Sequence, residues 1–227
     1  IEANVNCIGE CGTISAYAAF ESKFGSGRKG NLTVSGTNTI VNDYSYLTGN
    51  ENSADRIILL NNAGSFSSGD EILIIQMQNG SGSGTAGLYE FRIILSKFGN
   101  YLKLDKGLTN SYESGTFNQP NASATQVIKV PHYSNLVINS GASITAPAWD
   151  GFTGGIVAFR ALEYINMTGY INVSTKGFRG GDCNGCGDSA WGDQGEGYPG
   201  TGSGTLLANG NGGGGGYGPS GFNGEPG

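Results

Sequence analysis

The chain has 227 residues, of which 37% are hydrophobic and only 13% are charged, and its net charge is −6. Nucleic-acid-binding domains carry basic patches, so this charge balance argues against that function. The longest apolar run, Ala16–Phe20, is too short to cross a membrane as a helix. Because the chain begins at Ile1 rather than Met, we expect a processed or excerpted product that has lost a signal peptide.

Residues 1–50 form a predicted N-terminal segment. Ile1, Ala3, Val5 and Cys7 alternate with polar residues, which predicts a short strand. A strand at a chain terminus can pair within its own subunit or act as a donor strand for a neighbour. Ile14–Phe24 is the one segment whose apolar spacing favours a helix.

Residues 51–131 predict a small β-sandwich or barrel. Ile, Leu, Val and Tyr are concentrated in five predicted strands: Arg56–Leu60, Glu71–Met77, Tyr89–Leu95, Tyr101–Leu104 and Thr125–Val130. Turn residues lie at Ser68–Asp70 and Phe98–Asn100. Glu71–Met77 shows little alternation, so we expect a central strand that is covered on both faces.

Residues 132–176 predict a short β-solenoid. Short apolar stretches alternate with Gly and Asn turns, at Leu136–Ile138, Ile144, Ile156–Phe159, Ile165 and Ile171–Val173. Each coil of a solenoid buries its inward residues against the next coil. The open end of such a stack exposes unpaired backbone and needs a cap, which the preceding sandwich or the following glycine segment could supply.

Residues 177–227 form a glycine-rich tail that holds 21 of the 42 glycines. From Gly212 to Gly227 every third residue is glycine. This period suits extended polyglycine-II-like rods with three residues per turn. Composition alone predicts disorder for the same residues. We favour the ordered rods, which would make the protein structural or adhesive.

The four cysteines come in two close pairs, Cys7/Cys11 and Cys183/Cys186. Two disulfides in an oxidising compartment are the first interpretation, and sequence does not choose among the three connectivities. A four-thiolate zinc site is the metal alternative, although the spacing is not that of a zinc ribbon. A redox role for Cys183 and Cys186 is weaker, because their segment has no βα context.

Few residues in the chain suggest chemistry. Four carboxylates near the second cysteine pair are calcium candidates, although their spacing fails the EF-hand pattern: Asp182, Asp188, Asp193 and Glu196. His132 is the single histidine and has no recognisable nucleophile context, so we interpret it as a structural residue at the sandwich–solenoid junction. Asp150 is most simply a turn residue. We therefore expect neither a catalytic site nor a cofactor.

Surface modification and ligand stacking have candidates of their own. Five N-x-S/T sequons begin at Asn31, Asn79, Asn121, Asn166 and Asn172, with Asn79 and Asn121 in loop-like sequence. Asn166 and Asn172 could instead form an inward polar ladder of the solenoid. Trp149 and Trp191 are candidate stacking surfaces for a ligand.

Four segments occur in an order that resembles a known family: SGDEILIIQM (68–77), QVIKVP (126–131), LVINSGASITAPA (136–148) and GGIVAFRALEYINMTGYINVSTKGFRGG (154–181). They resemble secreted glycine-rich surface proteins of bacteria, some of them labelled adhesin-like or gliding-motility-associated. The resemblance covers about residues 25–216. It implies an extracellular location and a role in surfaces, adhesion or filaments, with no catalytic residue to carry over.

Three functions remain open on this basis. The first is an extracellular structural protein that forms or decorates filaments or layers, with further copies of itself or other surface proteins as partners. The second is an adhesin module that binds a glycan or a cell-surface receptor. The third, a solenoid enzyme acting on polysaccharide, has the least support, because the solenoid stretch holds few carboxylates.

Overall fold

The computed structural model describes residues 23–80, 85–119, 121–179 and 196–197. These residues are all-β, as predicted, and none of them lies in a helix long and apolar enough to cross a membrane. Their strands are β1 (Leu32–Val34), β2 (Thr39–Ile40), β3 (Tyr44–Tyr46), β4 (Ile57–Leu59), β5 (Glu71–Asn79), β6 (Tyr89–Phe98), β7 (Tyr101–Leu104), β8 (Ser123–Val130), β9 (His132–Ile138), β10 (Ser143–Thr145), β11 (Arg160–Met167) and β12 (Tyr170–Ile171).

Six strands form one antiparallel sheet in the order β3-β8-β5-β6-β7-β4. The sheet curls into a half-barrel, and its edge strands approach each other at a bridge between Leu47 and Leu60. Its inner face holds the main core, which includes Phe66, Ile72 and Ile94. The central position predicted for the apolar run at residues 71–77 is confirmed, because β5 pairs with β6 on one side and β8 on the other.

The remaining strands form two parallel three-stranded stacks, β1-β9-β11 and β2-β10-β12. Together they make three coils of a solenoid: residues 32–40, 132–145 and 160–171. Leu32, Leu136 and Ile165 occupy one column across the coils. The middle coil supplies the fully buried apolar residues of this second core.

The passage from β8 to β9 falls at the predicted boundary at residue 131, whereas the pairing does not follow the predicted boundary at residue 50. The first coil, β1 and β2, comes from the predicted N-terminal segment, and the half-barrel is inserted between the first and second coils. Strands of two or three residues carry no detectable periodicity, which is why the sequence did not reveal them. Ile156–Phe159, predicted as a strand, is instead an irregular return segment between the second and third coils.

The return segment holds the solenoid against the outer face of the half-barrel. Leu73 and Ile128 of the sheet pack with Ile156 and other residues of the segment. The Tyr44 hydroxyl donates a hydrogen bond to the carbonyl oxygen of Ile156 at 2.7 Å. Burial, with a smaller contribution from the nearby charge of Asp43, raises the pKa of Tyr44 to about 12.

Two predicted features lie outside the described residues. These are the donor strand at residues 1–7 and the glycine register from Gly212. The predicted helix is described only at Lys23 and Phe24, which form a turn.

Candidate binding cleft at the junction

A cavity lies where the half-barrel and the third coil diverge. Its volume is about 350 Å³. It is lined by Phe91, Val130, Val157, Ala158, Phe159, Arg160 and Ile171. The lining is mostly apolar, with Arg160 as its one charged residue. Ligand sites commonly combine an apolar lining with a few polar groups.

The cleft opens onto a sheet face that the solenoid covers only in part. Ile128, Leu73 and Phe91 form one row across β8, β5 and β6. Ile128 and Leu73 are buried under the return segment, whereas Phe91 is 37% exposed. From Phe91 outward, the same side of the sheet carries large exposed side chains on β4, β6 and β7. We call this set the uncovered sheet face: Ile57, Tyr89, Phe91, Leu95 and Tyr101.

Arg160 forms one wall of the cleft and contacts both Glu71 and Phe91. Its Nε lies 2.5 Å from Oε2 of Glu71, and its Nη2 lies 2.8 Å from Oε1. Its guanidinium also sits 4.9 Å from the centre of the Phe91 ring, within the range of a cation–π contact. The positive charge in the cleft is therefore already satisfied by the protein.

Glu71 is the acceptor at the centre of this cluster. Oε2 also accepts a hydrogen bond from His132 Nε2 at 2.8 Å. Burial by itself raises the pKa of Glu71, but the hydrogen bonds from His132 and Arg160 and the positive charge of Arg160 outweigh it. The net result is a pKa below the ordinary value. The carboxylate is thus ionised at neutral pH.

His132 links Glu71 to the chain that enters from the N-terminal side. The backbone N–H of Ser26 donates to Nδ1 at 3.1 Å, so Nδ1 carries no proton and the Nε2–H donates to Glu71. The Ser26 hydroxyl lies 3.2 Å from the same Nδ1. This superficially resembles a Ser–His–Glu array. However, the Nδ1 lone pair already accepts a hydrogen bond from the backbone N–H of Ser26, and Arg160 neutralises the Glu71 carboxylate. The imidazole is therefore poorly arranged to act as a base for the Ser26 hydroxyl. The predicted position of His132 at the junction is confirmed.

Trp149 does not offer a stacking surface, contrary to the prediction. It is only 2% exposed, and Phe178 packs edge-to-face against its ring at 5.7 Å. A ring that is covered in this way has no free face for a sugar or another ligand. Asp150 is a turn residue, as predicted, because its Oδ1 accepts the N–H groups of Phe152 and Thr153. Trp191 lies outside the described residues.

Glu196 is an ion-pair partner rather than a calcium ligand. Its Oε2 accepts from Nε of Arg179 at 2.8 Å, and its Oε1 accepts from Arg179 Nη2 and from Gln78 Nε2. Both oxygens of this buried carboxylate are therefore occupied by protein donors. Burial by itself raises the pKa of Glu196, but the hydrogen bonds from Arg179 and its positive charge outweigh this effect. The net pKa of Glu196 is therefore below the ordinary value.

The other predicted metal and disulfide residues lie outside the described ranges: Cys7, Cys11, Asp182, Cys183, Cys186, Asp188 and Asp193. Within those ranges, no three His, Cys, Asp or Glu residues are grouped in a way that could hold a metal ion. The predicted disulfides and calcium site at those positions therefore stay predictions.

The sequons differ in their accessibility. Asn79, a first candidate from the sequence, is 2% exposed at the end of β5, so that prediction is wrong. The other four, Asn31, Asn121, Asn166 and Asn172, are exposed. Asn166 lies between Ile165 and Met167, which stack over buried Leu136 and Ile138, and Asn172 follows Ile171, which stacks over buried Ile144. Because side chains alternate along a strand, neither asparagine belongs to an inward ladder.

Sequence reasoning missed the residues that make the cleft and its polar cluster. Glu71 and Arg160 are 89 residues apart and share no motif. Ser26 lies in a glycine-containing stretch with no pattern of its own. The one usable signal was Glu71 itself, since a carboxylate at the head of a buried apolar strand needs a partner.

The sequence matches no protein-family model and no curated protein. Three similar solved structures are phage tailspikes. The Gp54 tailspike of Acinetobacter baumannii bacteriophage AP22, solved in complex with A. baumannii capsular saccharide, is 15% identical with a TM-score of 0.33, over 62% of this chain and 23% of that chain. The tailspike gp49 of Pseudomonas phage LKA1 is 13% identical with a TM-score of 0.30, over 52% and 27%. The tailspike gp61 of Pseudomonas phage phi297 is 11% identical with a TM-score of 0.32, over 63% and 25%. This chain therefore spans only 23–27% of the tailspikes' own lengths. At these TM-scores the likeness supports no inference about activity or ligand.

Proposed function

We propose that this chain is an extracellular structural protein of a filament or surface layer, and that it packs against another copy of itself through the uncovered sheet face. One observation carries the proposal. The outer face of the half-barrel carries large apolar side chains on β4, β6 and β7 as well as on β5 and β8, yet the solenoid buries only the part formed by β5 and β8. A group of exposed apolar side chains on one side of a sheet commonly marks a protein interface.

The size of the face suits a repeated contact of modest strength. Fully burying a large apolar side chain contributes about 1.5–3 kcal/mol. The five members of the face are roughly half exposed already, so one contact recovers only part of that gain. Association also costs at least about 4 kcal/mol in lost translational and rotational freedom. A single pair would thus be weak, whereas a polymer gains from many such contacts.

Other features of the chain agree with this function. Only 13% of residues are charged, which limits repulsion between copies. The resemblance to glycine-rich surface proteins implies an extracellular location. The two predicted disulfides among Cys7, Cys11, Cys183 and Cys186 belong to the same proposal, because such bridges form in oxidising compartments.

Sedimentation velocity over a range of protein concentrations tests the proposal. We expect the unmodified chain to associate as its concentration rises and to form ordered fibres in negative-stain micrographs. Tyr89→Glu and Leu95→Glu place a charge on the uncovered sheet face and should abolish the association. The matched control is Ser140→Glu, at an exposed turn of the solenoid, which should leave it intact. A chain that stays monomeric throughout, or face variants that associate normally, would refute the proposal.

Glycan binding is the second candidate, and the Tyr89–Phe91 pair favours it. The two rings meet edge-to-face at 6.1 Å, and Tyr89 is 60% exposed beside the cleft. Exposed aromatic rings can stack on sugar faces, but sugar hydroxyls also need polar partners, and the guanidinium of Arg160 is already engaged by Glu71. Binding to a glycan array that is lost in Tyr89→Ala and kept in Leu95→Ala would support this function over assembly.

A further inference from the structure

The third coil leaves its inward side chains open to solvent. Ile165 and Met167 of β11 stack directly over Leu136 and Ile138 of β9. The two residues of β9 are fully buried, whereas Ile165 is 52% and Met167 53% exposed. Ile171 of β12 is likewise 41% exposed above a buried partner. We call these three residues, Ile165, Met167 and Ile171, the open coil face.

The backbone of the third coil is open on the same side. Among the described strands, β11 pairs with β9 alone and β12 pairs with β10 alone. Their other edges therefore present N–H and C=O groups without a strand partner. Such an edge, together with an apolar face, is the usual template for an added strand.

We propose that residues 1–22 of the same chain lie across the open coil face as a fourth coil. The first argument is the position at which this segment joins the described chain. The Arg160 Nη1 group donates to the carbonyl oxygen of Lys23 at 3.0 Å. A Cβ added at Gly25 would lie 2.8 Å from Cβ of Arg160. Because Arg160 is the first residue of β11, the N-terminal segment reaches the solenoid at the level of the third coil.

The chain then descends from the third coil toward the first. The Ser134 hydroxyl donates to the carbonyl oxygen of Gly27 at 2.9 Å, beside β9. The N–H of Lys29 donates to the carbonyl oxygen of His132 at 2.8 Å. The chain enters β1, in the first coil, at Leu32. Residues that precede Lys23 are thus delivered to the end of the stack that the third coil forms.

Length and pattern are the second argument. The third coil runs from Arg160 to Ile171, and the 22 residues before Lys23 exceed that length. The alternation of Ile1, Ala3, Val5 and Cys7 has the period of two that places apolar side chains on one face of a strand. Ile165 and Met167 have the same spacing, so the two apolar sets can face each other. Gly197, by contrast, lies at the half-barrel, where its carbonyl oxygen accepts a hydrogen bond from Gln78 Nε2 at 3.0 Å.

Photocrosslinking identifies the occupant of the open coil face. Benzoylphenylalanine is introduced in place of Met167 in the full chain, and equal amounts of ¹⁴N- and ¹⁵N-labelled protein are mixed before irradiation. We expect crosslinked peptides from residues 1–22, with both halves carrying the same isotope. The matched control places the crosslinker at Asn166, whose side chain points to the opposite side of β11, and should give no such product.

The other outcomes overturn the inference. Crosslinks to residues 198–227 would assign the face to the tail, and isotopically mixed crosslinks would assign it to a second copy. The absence of any crosslink would mean that the face is bare.

Because benzoylphenylalanine can disturb the fold, hydrogen exchange of the unmodified chain provides a second measurement. The amides of Ile165 and Met167 should be protected in the full chain and lose protection when residues 1–22 are deleted, while those of Leu136 and Ile138 stay protected. Rapid exchange in the full chain would contradict the inference. Neither experiment probes the uncovered sheet face, so the results of both are independent of whether the proposed assembly occurs.

Discussion

Glu71→Gln tests whether the polar cluster at the junction holds the half-barrel and the solenoid together. The change keeps the size of the side chain but removes the charge that Arg160 and His132 both face. Removing one partner of a buried ion pair typically costs about 3–5 kcal/mol. The Arg160 side chain is 26% exposed, so water can solvate part of its charge. We therefore expect a loss of about 2–3 kcal/mol in the free energy of unfolding at neutral pH.

The pH dependence of this loss separates the charge from mere packing. The pKa of Glu71 is lower in the folded chain than its ordinary value of 4.5. Its contribution to stability is therefore present above pH 4.5 and lost as the pH falls through the folded pKa. Glutamine does not titrate, so the difference between the two proteins should shrink as the pH falls below 4.5.

Urea unfolding followed by tryptophan fluorescence, repeated from pH 7 downward, measures this difference. The matched control is Glu163→Gln, an exposed carboxylate on β11, which should change the free energy by less than about 0.5 kcal/mol at every pH. A difference for Glu71→Gln that is constant with pH, or no larger than that of the control, would refute the reasoning.

Three further experiments test other parts of the structure. Tyr44→Phe removes a hydrogen bond to the solenoid, which should cost about 1 kcal/mol. It should also reduce the fall in stability that the unmodified chain shows as pH rises from 10 to about 12, because the folded chain disfavours the Tyr44 tyrosinate. The rest of the fall should persist, since burial also raises the pKa of Tyr112 and Tyr133; thermal unfolding at neutral and alkaline pH measures both effects. Gly154→Ala, at φ +116° with a carbonyl oxygen 2.5 Å from the added Cβ, should lower the free energy of unfolding in urea by about 2–3 kcal/mol. Gly141→Ala, at φ +79° in open space, should lower it by only about 1 kcal/mol. In a host that attaches N-linked glycans, peptide mapping should find a glycan at Asn121 but none at buried Asn79.

The sequence was most informative where local patterns are long. The strands near Glu71–Met77 and Thr125–Val130 agree with β5 and β8, because extended apolar runs have few alternatives to a buried strand. The turn at Gly99 agrees as well, since its φ of +56° favours glycine. The first coil could not be predicted, because β1 has only three residues. Its strand character comes from its partner in β9 rather than from its own composition.

The candidate cleft depends on tertiary packing that local patterns do not encode. Tyr89 and Phe91 were predicted as strand residues, but their exposure depends on where the solenoid docks on the sheet. Trp149 shows the converse, because a tryptophan beside a turn looked accessible and is instead buried under Phe178. Contacts across the junction join residues 61, 89 and 112 positions apart, and one sequence without relatives gives no signal at that range.

Because the half-barrel interrupts the solenoid after its first coil, β1 and β2 are synthesised well before β9 and β10, the strands with which they pair. Asn31 meets Asn135 across 104 positions, so the ribosome completes the whole half-barrel before β9 exists. Contacts this distant in sequence slow folding, whereas antiparallel neighbours such as β6 and β7 can pair early. The half-barrel then acts as a clamp that brings the two interrupted ends of the solenoid within reach of each other. Until β9 has emerged, the nascent chain carries β1 without its strand partner, which makes β1 the point most exposed to mispairing.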